Sequence, residues 1–257
     1  MRLHGPERGP PLVLLHGFPL HGGMWVGQRE ALAGRWRLIV PDLRGHGASD
    51  VGDGQYAIDF LADDLFAVLE VTTAEPVVGC GLSMGGYVLL RAWEREPVRF
   101  RVLVLADTRS TADPDAGCLK RLDAVRALRR DGLATYADAF VGTALGVTIR
   151  TERPAVVEMV KAMILSNPVA RLVGAQLAMA ARTDTTPALA GITVPTLVVV
   201  GEEDELTPPD VARELADHVP GARLVTIPRA GHLTPLESPA EFNADLVDFL
   251  TEAAPPA

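Results

Sequence analysis

Short, almost wholly apolar runs alternate along the chain with longer stretches in which apolar residues recur every three or four positions. Six short runs read as β-strands: Pro11–Leu15, Arg37–Val40, Pro76–Cys80, Arg101–Leu105, Pro195–Val200 and Arg223–Ile227. They are nearly continuous in apolar residues instead of alternating, as strands buried on both faces are. Helices are predicted over Met24–Gly34, Ile58–Val71, Ser83–Glu96, Pro208–His218 and Ser238–Thr251. The last carries a start signal: Ser238 as N-cap, Pro239 at the first helical position and Glu241 three residues after the cap. This β-α-β-α rhythm predicts an α/β fold with a mostly parallel sheet and helices on both faces.

The rhythm breaks between Arg109 and Gly191, where helix patterns continue without a strand. Leu119, Leu122, Val125 and Leu128 form a stripe at spacing three, and Arg121, Arg126, Arg129 and Arg130 read as its solvated flank. Thr111–Gly117 and Thr183–Pro187 have the composition of hinges. The chain therefore divides into a core over residues 1–108 and 191–257 and a helical insertion over 109–190. The insertion is expected to cover the edge where the carboxyl ends of the strands emerge. Its aliphatic residues Met159, Met163, Ile164, Leu165, Leu172, Leu177 and Met179 suit either an apolar pocket or the insertion's own packing.

Length and charge narrow the function classes. The 257 residues fit one domain carrying an insertion, large enough to fold without a metal or disulfide staple. Lys+Arg 24 against Asp+Glu 33 gives a net charge of −9, and the only lysines are Lys120 and Lys161. A nucleic-acid groove needs a basic stripe, so nucleic acid is not the expected partner. Two cysteines, Cys80 and Cys118, cannot build a disulfide framework or a multi-cysteine zinc site. Cys80 reads as a small buried hydrophobe. No apolar run has signal-peptide length or spans a bilayer, so a cytoplasmic protein away from membranes is expected.

The chemistry concentrates where the third strand meets a helix. Gly81-Leu82-Ser83-Met84-Gly85 matches G-x-S-x-G, a pattern that 24 glycines and five serines produce by chance about 0.04 times. A serine at the tip of so sharp a turn stands clear of the sheet, and small neighbours let strands and helix close around it. A phosphate loop fits less well. A G-x-G-x-x-G frame starting at Gly79 ends on Met84, and no Gly-Lys-Ser/Thr is present.

A serine hydroxyl needs a base, and His232, between the last strand and the last helix, is the candidate. The carboxylate that orients it is Asp204, after Pro195–Val200, or its rival Asp107, at the end of Arg101–Leu105. The order Ser83, Asp204, His232 is that of elbow hydrolases. Two backbone N–H donors for an oxyanion are expected from Met84, at a helix start, and from Phe18, which follows Gly17 after the first long strand. The charges of Asp42 through Gly47 read as loop braces. Arg109 reads as a hinge brace, with a substrate carboxylate as the alternative.

Taken together, His16-Gly17-Phe18-Pro19, Asp42 through Gly47, Gly81 through Gly85, Gly201 through Asp204 and Gly231-His232 resemble the α/β-hydrolase fold family. The likeness runs from about Leu12 to Leu250. It is closest in look to small esterases, 3-oxoadipate enol-lactonase-like hydrolases and cofactor-free perhydrolases. The resemblance implies a Ser83–His232–Asp204 triad and a helical cap. It also implies an ester or lactone as the small-molecule substrate, with no cofactor and no metal. A perhydrolase with peroxide in place of water is one alternative, and a ligand-binding protein with little turnover is another. Relatives that put an aspartate at the elbow, dehalogenases and epoxide hydrolases, are disfavoured by Ser83. One departure stands out: only Met1–Pro10 precede the first long strand, so at most one short strand fits where the family often has a hairpin.

Overall fold

The computed structural model describes residues 1–254. The chain runs through β1 (Arg2–His4), β2 (Pro11–Leu15), α1 (Val26–Leu32), β3 (Arg37–Val40), α2 (Ile58–Thr72), β4 (Val77–Leu82), α3 (Met84–Arg95) and β5 (Phe100–Ala106). Six helices follow: α4 (Asp115–Arg130), α5 (Gly132–Ala144), α6 (Val147–Glu152), α7 (Pro154–Leu165), α8 (Val169–Ala180) and α9 (Thr186–Leu189). The chain then returns through β6 (Thr196–Gly201), α10 (Pro209–His218), β7 (Arg223–Ile227), α11 (Thr234–Glu237) and α12 (Pro239–Ala253). Seven strands make one sheet in the order β1-β3-β2-β4-β5-β6-β7. Only β1 runs antiparallel, paired with β3, so the short strand that the N-terminal segment allowed is present as a sheet edge.

Every residue of β2, β4 and β6 is buried, which is why these runs carry no alternation. Helices flank both sides, with α1, α11 and α12 packed together and α2 against α3. β7 departs from the expected pattern. It pairs only with β6, and most of its side chains stay half-exposed. β4 runs two residues beyond the predicted Cys80, to Leu82, which brings it directly onto Ser83. The predicted helix Met24–Gly34 divides into a 3₁₀ turn, Gly22–Trp25, and the short α1. Ser238 occupies the N-cap position of α12 with Pro239 behind it, but its hydroxyl makes no capping bond.

Between β5 and β6 the chain contains helices and no strand. The segments entering and leaving this stretch lie side by side. Thr185 N–H donates to Ser110 O at 3.0 Å, and Arg182 Nη2 donates to Thr111 O at 2.9 Å and to Asp113 Oδ1 at 2.8 Å. Arg121 also donates to Asp113, so it is a brace and not part of a solvated flank. Burial pushes the Asp113 carboxyl up, but the two guanidinium groups outweigh it and hold it at about 2. Of the aliphatic residues that suited either pocket or packing, Met163, Ile164, Leu172 and Met179 are buried, whereas Met159, Leu165 and Leu177 are exposed. Among the described residues no helix is long and apolar enough to cross a membrane.

Two buried histidines knit the loops that leave β2 and β3. His16 Nε2 accepts the Leu43 N–H at 2.9 Å, which puts the ring proton on Nδ1, facing Gly17 O at 3.0 Å. His46 Nδ1 faces Arg44 O at 3.1 Å. Asp42 accepts the N–H groups of Gly22 and Ala48 at 2.8 and 3.0 Å, as a loop brace would. Burial lowers His16 to about 3 and His46 to about 4. An unfolded chain protonates both rings near pH 6.5, whereas the folded chain refuses the protons until much lower pH. Their contribution is therefore intact above about pH 6.5 and lost on acidification, at about 1.4 kcal/mol per pH unit for each ring. Urea unfolding is expected to show the midpoint dropping steeply from pH 7 to pH 4.5, with a shallower drop in His46→Gln. Stability that stays level over that range contradicts this assignment.

Candidate active site

The turn after β4 sets the site. Ser83 stands between the last strand residue, Leu82, and the first helical residue, Met84, with φ +52° and ψ −113°. A non-glycine residue there stores about 1–3 kcal/mol of strain, held by the packing around it. Its N–H donates to Ala106 O at 2.9 Å, and its carbonyl accepts from Gly86 N–H at 2.9 Å and from the Thr108 hydroxyl at 2.8 Å. The flanking glycines are required by close approach. A Cβ at Gly81 would lie 2.5 Å from Gly85 O, and one at Gly85 would lie 2.3 Å from Leu15 O. Met84 opens α3, where an N–H has no acceptor inside the helix. The loop leaving β2 runs alongside, since a Cβ on Gly17 would sit 3.3 Å from Ser83 Cβ, and Phe18 comes next in the chain.

His232, on the segment between β7 and α11, meets this serine across the sheet end. Its Nε2 lies 2.8 Å from Ser83 Oγ, and its Nδ1 lies 2.8 Å from Asp204 Oδ2. With Asp204 ionised, the ring proton sits on Nδ1 and Nε2 is left to accept from the serine hydroxyl. Asp204 is itself gripped. Its Oδ1 accepts the N–H groups of Leu206 and Thr207 at 2.7 and 2.9 Å, and its Oδ2 accepts the Thr207 hydroxyl at 2.6 Å. Burial pushes the Asp204 carboxyl up. The His232 ring and the Thr207 donors outweigh that effect and hold it below the ordinary carboxylate range.

Of the two acids the sequence left open, Asp204 is the one bonded to His232. Asp107 turns elsewhere. Its Oδ1 accepts Gly201 N–H at 3.1 Å, and its Oδ2 accepts the N–H and hydroxyl of Thr234 at 3.1 and 2.7 Å. Burial and the neighbouring Asp204 charge push the Asp107 carboxyl well up. Arg109 donates to Leu206 O, in the loop just after Asp204, as a brace. Cys80 is fully buried in β4, and burial pushes its thiol up. Ser83 is 8% exposed and His232 3%, so the contact between them is almost wholly buried.

Three residues of this assembly were not singled out from the sequence. Thr207 had a local signal, a hydroxyl three residues after an aspartate on a loop, the spacing at which such side chains close a turn. Glu237 and Asn167 had none. Glu237 is fully buried and accepts the N–H groups of Gly146, Gly231 and Leu233. Asn167 donates to Pro19 O at 3.0 Å and accepts from Gly47 N–H at 2.8 Å, joining the α7–α8 link to the loops after β2 and β3.

Comparison with known proteins places this arrangement. A thermophilic esterase from Thermogutta terrifontis, solved with malate bound, superposes with a TM-score of 0.93 at 36% identity, over 98% of this chain and 92% of that one. A pimeloyl-[acyl-carrier protein] methyl ester esterase from Nitrosomonas europaea is 31% identical, over 91% of this chain and 93% of its own. A 3-oxoadipate enol-lactonase from Acinetobacter baylyi is 26% identical, over 94% and 89% respectively. Residues 10–239 match the family described as alpha/beta hydrolase fold, the family in which a nucleophile stands on such a strand-to-helix turn. The parallel sheet, the elbow at Ser83 and a match over most of its length make this chain a member of the alpha/beta hydrolase fold family.

Proposed function

We propose that this protein is a serine hydrolase that cleaves a carboxylic ester or lactone through an acyl-enzyme. Ser83 is the nucleophile, His232 the base, and Asp204 the group that orients and charges the ring. The observation that carries this reading is the unbroken chain from Ser83 Oγ through His232 to Asp204, with both links at 2.8 Å, starting from a strained elbow. His232 Nε2 takes the hydroxyl proton as Ser83 attacks the carbonyl carbon. The charge that develops on the carbonyl oxygen is received by the N–H groups of Phe18 and Met84. The alcohol departs with the proton from His232. Water then gives a proton to the same nitrogen and attacks the acyl-enzyme, and His232 returns that proton to Ser83 Oγ as the C–Oγ bond breaks and the acid leaves.

In this reading residues 109–190 form a cap over the site. Tyr136 of α5 lies edge-on to the Phe18 ring, with centroids 6.5 Å apart, and Asn167 holds the carbonyl of Pro19 beside it. An aromatic wall over the oxyanion loop favours a substrate with an apolar part next to the reacting carbonyl. The similarity to ester- and lactone-cleaving relatives supports the same substrate class.

p-Nitrophenyl esters of rising chain length, with a few lactones, test the activity. Ser83→Ala is expected to lower kcat by about 10⁴-fold or more. A fluorophosphonate should label the wild type on Ser83 and leave the variant unlabelled. A wild type that neither labels nor turns over any ester rules the hydrolase reading out in favour of a binding role. Thr207→Val removes the hydroxyl that fixes Asp204 and is expected to cut kcat about 10-fold with KM within about twofold, corresponding to about 1.4 kcal/mol in the barrier. An unchanged kcat in this variant would mean that the Thr207 bond does no orienting.

A further inference from the structure

His232 lies on a stretch without regular secondary structure, so something other than a strand or helix ladder must fix its backbone. Three bonds do so. The His232 N–H donates to Ala144 O at 2.7 Å, at the end of α5. On either side of it, the N–H groups of Gly231 and Leu233 donate to the Glu237 carboxylate, each at 2.8 Å. The same oxygen that receives Gly231, Oε2, also receives Gly146 N–H at 2.9 Å. One buried carboxylate thus bridges the histidine loop and the corner between α5 and α6.

The corner and the loop also touch backbone to backbone. A Cβ on Gly231 would lie 2.3 Å from Gly146 N and 2.8 Å from Ala144 O. A Cβ on Gly146 would lie 2.9 Å from Gly231 N and 2.5 Å from Glu203 Oε2. Neither position has room for a side chain. Further ties converge here: Glu203, next to Asp204, accepts Thr148 N–H at 2.9 Å and the Thr148 hydroxyl, and Arg153 donates to the Glu237 carbonyl. The corner therefore holds the loops of both the histidine and its acid.

A fully buried carboxylate is costly unless donors fill its lone pairs. Among the described residues no lysine or arginine side chain reaches the Glu237 carboxylate, and its donors are three backbone N–H groups from two separate parts of the chain. Such a set holds the relative position of two backbones, and neutralises no local cation. We infer that Glu237 is a positioning residue for His232, one that aligns the imidazole with Ser83 only while the Ala144–Gly146 corner is seated against the histidine loop. This rests on the reading of Ser83 and His232 as nucleophile and base. Misplacement of a base by a fraction of an ångström falls on the chemical step and not on substrate binding.

Glu237→Gln, Gly146→Ala and their double variant test it. The glutamine keeps the shape but turns an amide donor toward the N–H groups. The alanine pushes the corner away and leaves Ser83, His232, Asp204 and Glu237 intact. Each single variant is expected to lower kcat on p-nitrophenyl acetate about 10-fold with KM within about threefold, and the double variant to fall little further than the worse single one. In ¹⁵N-histidine spectra, the Nδ1–H of His232, assigned by its loss in His232→Asn, should be present in wild type and exchange-broadened in both singles. A Gly146→Ala protein with wild-type kcat and an intact ring proton overturns the inference, as does full additivity. Should Glu237→Gln fail to fold, Gly146→Ala alone decides. Loss of the ring proton in the variants of a wild type that cleaves no ester would sustain the positioning role while the hydrolase reading fails.

Discussion

A serine backbone held at φ +52° is the constraint from which the rest of this site follows. An L-residue reaches that region only where its surroundings fix it, and here they do so through backbone contacts that tolerate no side chains. Gly85 presses on the carbonyl of Leu15, so β2, β4 and α3 converge within atomic contact at one point. The same convergence places the start of α3 and the exit of β2 beside the serine. Any N–H pair available to an oxyanion is thus a by-product of the turn that presents the hydroxyl. The strain is local and the compensation is the whole buried sheet beneath it.

Among the buried carboxylates at this sheet end, Asp107, Asp204 and Glu237 lie nearest the His232 segment, and their donors distinguish them. Asp204 is the one that faces an imidazole, and the ring together with Thr207 favours its ionised form. Asp107, at the end of the adjacent strand, bonds the Gly201 N–H and Thr234, so it ties the end of β6 to the start of α11. Two neighbouring buried carboxylates cannot both ionise cheaply, and Asp107 bears that penalty. The histidines divide in the same manner. His16 and His46, buried against backbone groups and with no carboxylate among the described residues bonded to either ring, are pushed toward the neutral form, which suits braces and not bases.

Ser83, His232 and Asp204 stand out as candidates in the sequence because each follows a predicted strand, and a parallel sheet brings such strand ends together. Asp107 follows a strand as well. Position alone therefore left two acids, and the choice required the direction of the side chain. β4 extends two residues past the predicted Cys80 because Gly81, whose composition suits a loop, is paired with Leu15 of β2, and Leu82 with Ala106 of β5. Ser238 carried a start signal, and Pro239 does begin the helix, yet the hydroxyl is not used. Glu237 and Asn167 give no such signal: Glu237 also takes near neighbours, Gly231 and Leu233, but the bonds that tie each residue to another part of the chain span 91 and 148 positions, and no pattern along the chain encodes such contacts. The aliphatic residues of α7 and α8 could not be sorted for a related reason. Helical spacing places them on faces, but which face meets the core depends on how α4, α5, α7 and α8 pack.

The helices between β5 and β6 are bonded to the rest of the chain at several separate points. Asn167 bonds the carbonyl of Pro19 and the N–H of Gly47 on one side; on the other, the Ala144 carbonyl accepts the His232 N–H and the Gly146 N–H donates to the Glu237 carboxylate. At the hinges, Arg182 and Ser110 close the base of the insertion. Ser83 and His232 are 8% and 3% exposed. Burial of Asp204 and His232 strengthens the interaction between the carboxylate and the ring, because charge is screened less than at a surface. The polar bonds that seat these helices are thus made to the loops after β2 and β3 and to the segment that carries His232, the same parts of the chain that surround Ser83.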